Sequence, residues 1–184
     1  MHHLHTPLLL RVTTLVAVTL LSLAPGCDSG SDPMVESDAS SASLCQRYGG
    51  AANVGGVVAD YVVPELLGDC RVQSRFAALG EAGQTHLVQC LQIQVQEVFG
   101  CDGVQYAGAT DANGGACRSM TAAHAGLGIS DGDFDAVIED IVAGMQAAGV
   151  AQADIDAVAP TVLGLRDPIV EVSSDALTEA TCTP

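Results

Sequence analysis

Two histidines carry whatever imidazole chemistry the chain can do beyond its N-terminus. Of five in all, three stand at positions 2, 3 and 5, which leaves His86 and His124. Seven cysteines follow one another at wide intervals, as Cys27, Cys45, Cys70, Cys90, Cys101, Cys117 and Cys182. No two stand in CxxC spacing, so a zinc finger is excluded. Carboxylates crowd Asp131, Asp133, Asp135, Glu139 and Asp140, and on an amphipathic helix they read as a solvated face. Asp131-Gly132-Asp133 begins like a calcium loop but lacks the twelve-residue ligand pattern. A GxSxG elbow, a GxxxxGK[ST] phosphate loop, an HExxH pair and a GxGxxG turn after a strand are all missing. Hydrolase, phosphotransferase and dinucleotide chemistry therefore have no footing here.

The elements that must position these residues begin after an export signal. Val12 to Ala24 is an apolar run of thirteen residues, shorter than the roughly 20 a membrane span needs and suited to a signal-peptide core. It ends in Leu23-Ala24-Pro25-Gly26-Cys27, which resembles a bacterial lipobox with Cys27 as the lipidated residue. Residues 1–26 are expected to be a lipoprotein signal, and 27–43 a flexible polar tether. A folded domain is expected over 44–172 and a short tail over 173–184. The protein is thus expected to be exported and membrane-anchored, facing the periplasm or on the outer membrane.

Composition narrows the rest. Twenty-two acidic residues face six basic ones, a net charge of −16, and such a surface repels nucleic acid. Hydrophobic residues make up 48% of the 184-residue chain but aromatics only 3%, so the core is built from Ala, Val, Leu and Ile. Val54, Val57, Val58, Tyr61 and Val62 keep helical spacing until Pro64. Leu87, Leu91, Val95 and Val98 do so across 84–99, although LQIQVQ at 91–96 also alternates like a strand. Glycines dominate 100–118, a long loop. A short helix over 119–126 follows, and then Ser130 and Asp133 form a capping signal for a helix with Phe134, Val137, Ile138, Ile141, Val142 and Met145 inside. Asp135, Glu139 and Asp140 are expected to face out. A last helix starts near Asp154. The expectation is an all-α domain of about five helices.

The segment MTAAHAGLGISDGDFDAVIEDIVAGMQAAGV, from Met120 onward, resembles the proximal half of group 1 truncated haemoglobins. Gly49-Gly50, Phe76, Tyr106-Ala107-Gly108, Arg118-Ser119-Met120 and LRDPIVE at 165–171 match the family's landmarks in order. The resemblance spans about 44–172. It implies a truncated globin-like two-over-two helical sandwich, haem b as cofactor, His124 as proximal iron ligand and Phe76 packed on the haem. Tyr106, Arg118 and Met120 are expected beside the cofactor, Arg118 compensating a propionate. Counting without gaps from Gly49-Gly50 and back from Gly100 places Val62, Leu87 and Leu91 over the iron, where many relatives carry tyrosine and glutamine. The distal side then reads as apolar, with Tyr61 and His86 one residue away from distal positions.

Nine residues, ATDANGGAC, stand between Gly108 and Arg118, where the family usually has none. Six cysteines in an exported domain suggest three disulfides, with 15 possible pairings. Cys101 and Cys117 flank the insertion with fifteen residues between them, and a bridge there would restrict the loop by roughly 3 kcal/mol. Cys45–Cys182 would then tie the domain ends and Cys70–Cys90 would remain. Functionally, the sequence implies a lipid-anchored globin binding oxygen or nitric oxide, served by an unidentified reductase. A haem-free globin-fold interaction module is the alternative from another class; a bis-histidine electron-transfer protein would follow if His86 reached the iron. Peroxidase-like activity lacks a distal acid–base residue. Absorption at the haem band separates the first two.

Overall fold

The computed structural model describes residues 42–178 and Cys182; the signal-like stretch, most of the tether and Cys27 lie outside them. Helices α1 (Leu44–Arg47), α2 (Ala51–Val57), α3 (Val63–Gly68), α4 (Gln73–Ala77), α5 (Gly80–Val98), α6 (Met120–His124), α7 (Asp131–Ala147), α8 (Gln152–Leu163) and α9 (Arg166–Ile169) follow in order. Among the described residues β structure is limited to two isolated bridges, Thr110 with Ala116 and Ser130 with Val172. Helices α2 and α5 pack together, α7 pairs with α8, and the first pair crosses the second through the segment joining α2 to α3. The result is the two-over-two sandwich. Val54, Val62, Leu66, Phe99, Met145, Val150, Ile155 and Val158 fill its centre. No helix among the described residues is long and apolar enough to cross a membrane.

The helix expected to stop at Pro64 runs on to Gly68. A π-helical turn, Val58–Val62, joins α2 to α3, and the Val63 N–H reaches back five residues to the Val58 carbonyl. Pro64 offers no N–H and its ring crowds the preceding turn, so a widened turn just ahead of it lets the helix continue. The same turn is where α7 comes closest: a methyl group on Gly144 would lie 2.6 Å from the Val62 Cα.

The strand-like alternation at 91–96 is entirely helical. Its glutamines serve the packing, since Gln92 and Gln96 stand one turn apart and donate to the carbonyls of Gly55 (2.9 Å) and Ala51 (2.8 Å). Side chains that bind a neighbouring helix's backbone explain why polar residues interrupt the apolar stripe. Helix α7 opens with the expected capping box, Ser130 with Asp133.

Two carboxylates expected on a solvated face are buried, Asp133 at 2% exposure and Asp140 at 6%. Asp133 is covered because residues 173–178 fold over the start of α7. Thr178 donates to it through its backbone N–H and its hydroxyl, and the Ser130 hydroxyl donates to Ala176. Asp140 is covered by the end of α3, where Asp69 and Arg71 face it.

All six cysteines of the domain are paired, but not as their spacing suggests. The bridges are Cys45–Cys101, Cys70–Cys182 and Cys90–Cys117, with Cα atoms 5.0, 4.9 and 5.6 Å apart. Cys101 does not close its own loop onto Cys117, because the Cys45 N–H binds the Phe99 carbonyl and brings α1 to the end of α5. The insertion instead folds back along α5, where His86 and Gln89 bind Asp111 and Ala112 and bring Cys117 to Cys90. The tail, returning past α7, leaves Cys182 at Cys70 rather than at Cys45.

Candidate functional site

Helix α6 holds only five residues, too few to be stable alone, so its surroundings fix it at each point. The Ser119 hydroxyl caps its start, and the Tyr106 hydroxyl donates to the Arg118 carbonyl at 2.8 Å. Within the helix, His124 Nδ1 lies 2.8 Å from the Met120 carbonyl oxygen. A carbonyl only accepts, so Nδ1 carries a proton, and in the neutral ring Nε2 holds the lone pair. That is the tautomer and orientation an imidazole needs to ligate a metal through Nε2. The ring is half-buried and α6 has no fully buried residue.

Across from it, α5 is 19 residues long yet buries only Cys90 completely. Phe76, Leu87, Val88 and Leu91 line one apolar recess with Val63, Leu66, Leu67 and Gln84. One N–H of the Gln84 amide donates to the Phe76 carbonyl at 3.1 Å. The Gln94 amide reaches Met120 Sδ at 3.5 Å, so α5 and α6 meet at that point. A long helix with half-exposed apolar residues, beside a short helix with a ligand-ready imidazole, is what a flat, apolar, metal-bearing group requires on its two sides.

Phe76, Leu87 and Leu91 line this recess together, and Val62 does not join them. Val62 is 1% exposed and lines a separate void with Val54, Val58, Val95 and Met145. The π turn has slipped the register, so Val63 occupies the recess; a gap-free count along an α-helix had no way to include that turn. Tyr61 is 43% exposed. His86 is also committed elsewhere. Its Nδ1 lies 2.7 Å from an Asp111 oxygen, and its ring stands beside the Cys90–Cys117 bridge. The His86 hydrogen bond and those from Gly115 and Asn113 hold the Asp111 carboxyl below its usual range.

Arg75, absent from the sequence reading, closes one side. It donates to the Leu127 carbonyl at 2.8 Å and pairs with Asp133 at 3.1 Å. It therefore ties the Phe76 corner to the turn after His124. Burial pushes the Asp133 carboxyl upward, but hydrogen bonds from Thr178 and Ser130 and the charge of Arg75 win and hold it below the usual range. Among the described arginines, Arg47, Arg71, Arg75 and Arg166 each face a carboxylate. Arg118 alone among them has no such partner, its guanidinium resting 3.4 Å from the Ala122 carbonyl.

No family model matches the sequence, and no curated protein does. Solved structures do. The 2/2 hemoglobin from Synechococcus sp. PCC 7002, in the cyanomet state with covalently attached heme, is 30% identical with a TM-score of 0.54. The alignment covers 70% of this chain and 98% of that one. A truncated hemoglobin from Tetrahymena pyriformis, as an Fe(III)-form mutant, is 22% identical over the same shares, with a TM-score of 0.57. The fold is that of a small globin reduced to two helix pairs. The chain belongs to the truncated (2/2) haemoglobin family.

Proposed function

We propose that the protein binds haem b, with His124 as the proximal ligand, and takes a diatomic gas, oxygen or nitric oxide, at the iron. The observation that carries this reading is the imidazole of His124, protonated at Nδ1 by its bond to Met120 and, among the described residues, with no hydrogen-bond partner at Nε2, on a short helix that meets α5 at Met120 and Gln94. Haem would supply the iron site where the gas binds. The chain would supply the rest: His124 ligates, Phe76, Leu87 and Leu91 exclude water, Met120 abuts α5, and Arg118 offers the uncommitted cation a propionate calls for. Tyr106 holds the Arg118 backbone in place.

The recess is otherwise apolar, and its one polar side chain, Gln84, has one of its two amide N–H groups bonded to the Phe76 carbonyl. A hydrogen bond to a bound gas is worth on the order of 1 to 3 kcal/mol; a recess this apolar favours release over storage. A low-molecular-weight or protein reductant would keep the iron ferrous. The bis-histidine alternative gains no support, since His86 is held by Asp111. The apolar run over residues 12–24 and the lipobox-like segment ending at Cys27 support our reading of an exported, lipid-anchored globin outside the cytoplasm.

Purification of the full chain from cells supplied with haem tests the proposal. The ferrous protein should give the spectrum of five-coordinate, high-spin iron, and His124→Ala should lose haem or its axial ligation. An unchanged spectrum in that variant would remove His124 from the role, and a six-coordinate spectrum abolished by His86→Ala would revive the alternative.

A further inference from the structure

We infer that Glu171 is a positioning residue for the His124 imidazole, acting through the turn that ends α6; the inference rests on the haem-binding reading above. The turn Ala125–Gly128 is all that separates His124 from the buried Ile129. Two of its residues, Gly126 and Gly128, have positive φ values of 77° and 62°, so their N–H groups are free of helical bonding. Both aim at one carboxylate. Glu171 Oε1 accepts from Gly126 at 2.7 Å and Oε2 from Gly128 at 2.6 Å.

The position of Glu171 is itself fixed. Its N–H and that of Val172 both donate to the Ile129 carbonyl, at 2.8 and 3.0 Å, and Asp131 donates back to Val172. The strand-like segment after α9 is thereby pinned beside the α6–α7 junction, and the carboxylate has one place to go. Two charge-assisted bonds to a pair of glycines form an anion-binding concavity with the anion supplied by the chain.

The consequence follows from the length of α6. Tyr106 holds the start of the helix and the Met120 carbonyl holds the ring, but neither fixes the end that carries His124. Glu171 does, two and four residues downstream, with Arg75 on the Leu127 carbonyl between them. The bonds from Gly126 and Gly128 hold the Glu171 carboxyl below the usual range. The anchor is therefore ionised, and at full strength, throughout neutral and mildly acidic pH. Glu171 closes the LRDPIVE landmark, but no sequence signal gives it this role, because it is an exposed acid in a chain that has twenty-two.

Two readouts on the full chain test this. In the haem-free protein, backbone amide exchange at Gly126 and Gly128 should be at least tenfold faster in Glu171→Ala than in the wild type. Glu171→Gln, which keeps one acceptor and loses the charge, should fall between them. In the haem-loaded ferrous protein, the iron–imidazole stretching band measured by resonance Raman should shift or split in Glu171→Ala, with a smaller change in Glu171→Gln. Unchanged exchange in both variants overturns the anchor. Faster exchange with an unchanged stretching band overturns positioning of His124 while leaving haem ligation intact. A wild-type protein with no iron–imidazole band overturns the haem reading and this inference together.

Discussion

Removing the Cys90–Cys117 bridge tests the route of the loop that leads to His124. The bridge spans 27 residues, for which the chain-entropy relation gives about 3.5 kcal/mol at 25 °C. The native loop has other holds: His86 with Asp111 at 2.7 Å and Ala112 with Gln89 at 2.7 Å. It should therefore stay docked when the bridge is gone, and the loss should fall on global unfolding rather than on local fraying. Guanidinium unfolding of Cys90→Ser, Cys117→Ser and the double variant, under oxidising conditions, reads this out. Each single variant is expected to lose about 2 to 4 kcal/mol. The double variant should lose no more than either single one, because half a bridge is no bridge. Losses that add would separate the two cysteines. If instead Cys101→Ser with Cys117→Ser behaved as one unit, the loop would close on itself and the route along α5 would be wrong.

Two glycines in helices should respond to alanine with opposite signs. Gly56 in α2 has open space around it, so Gly56→Ala should stabilise by about 0.4 to 1 kcal/mol; at Gly144 the new methyl meets the backbone of Val62 at 2.6 and 2.8 Å, and Gly144→Ala should cost roughly 1 to 3 kcal/mol, both measured by urea unfolding. Asp140 gives a pH prediction. Burial first, then the negative charge of Asp69, pushes its pKa up to about 6, and its Oδ2 is buried without a hydrogen-bond partner. With the folded value above the unfolded one, the contribution of Asp140 to stability is complete below about pH 4 and lost as pH rises through 6. Asp140→Asn should then be more stable than the wild type at pH 7 and indistinguishable below pH 4, a difference that thermal melts across that range detect.

What the sequence made legible was local. Ser130 and Asp133 cap a helix through bonds three residues apart, and the His124 segment carries its neighbours with it, so neither needs a distant partner to be read. The disulfides depend on which surfaces the folded chain brings together, and spacing alone ranks Cys101 with Cys117 because it ignores α5 as a template. Val62 was misplaced by a π turn that adds a residue to a helix without altering its apolar pattern. Asp133 and Asp140 looked solvated because a helical wheel knows nothing of residues 173–178 or of the α3 corner. Arg75 went unread, and Glu171 was read only as the last residue of LRDPIVE, for a related reason. Each is an ordinary surface-type residue whose partner lies 52 or 45 residues away.

The central claim is that Nε2 of His124 is the group that takes the iron. Its most direct test is His124→Gly, prepared with haem supplied and then titrated with free imidazole. Removing the side chain opens a cavity in which an untethered imidazole can stand where His124 stood. The account predicts that the variant loses the axial-ligand spectrum of the wild type and regains it on adding imidazole, with saturation. A variant that keeps the wild-type spectrum without imidazole, or that never regains it in a protein still folded by circular dichroism, would contradict it.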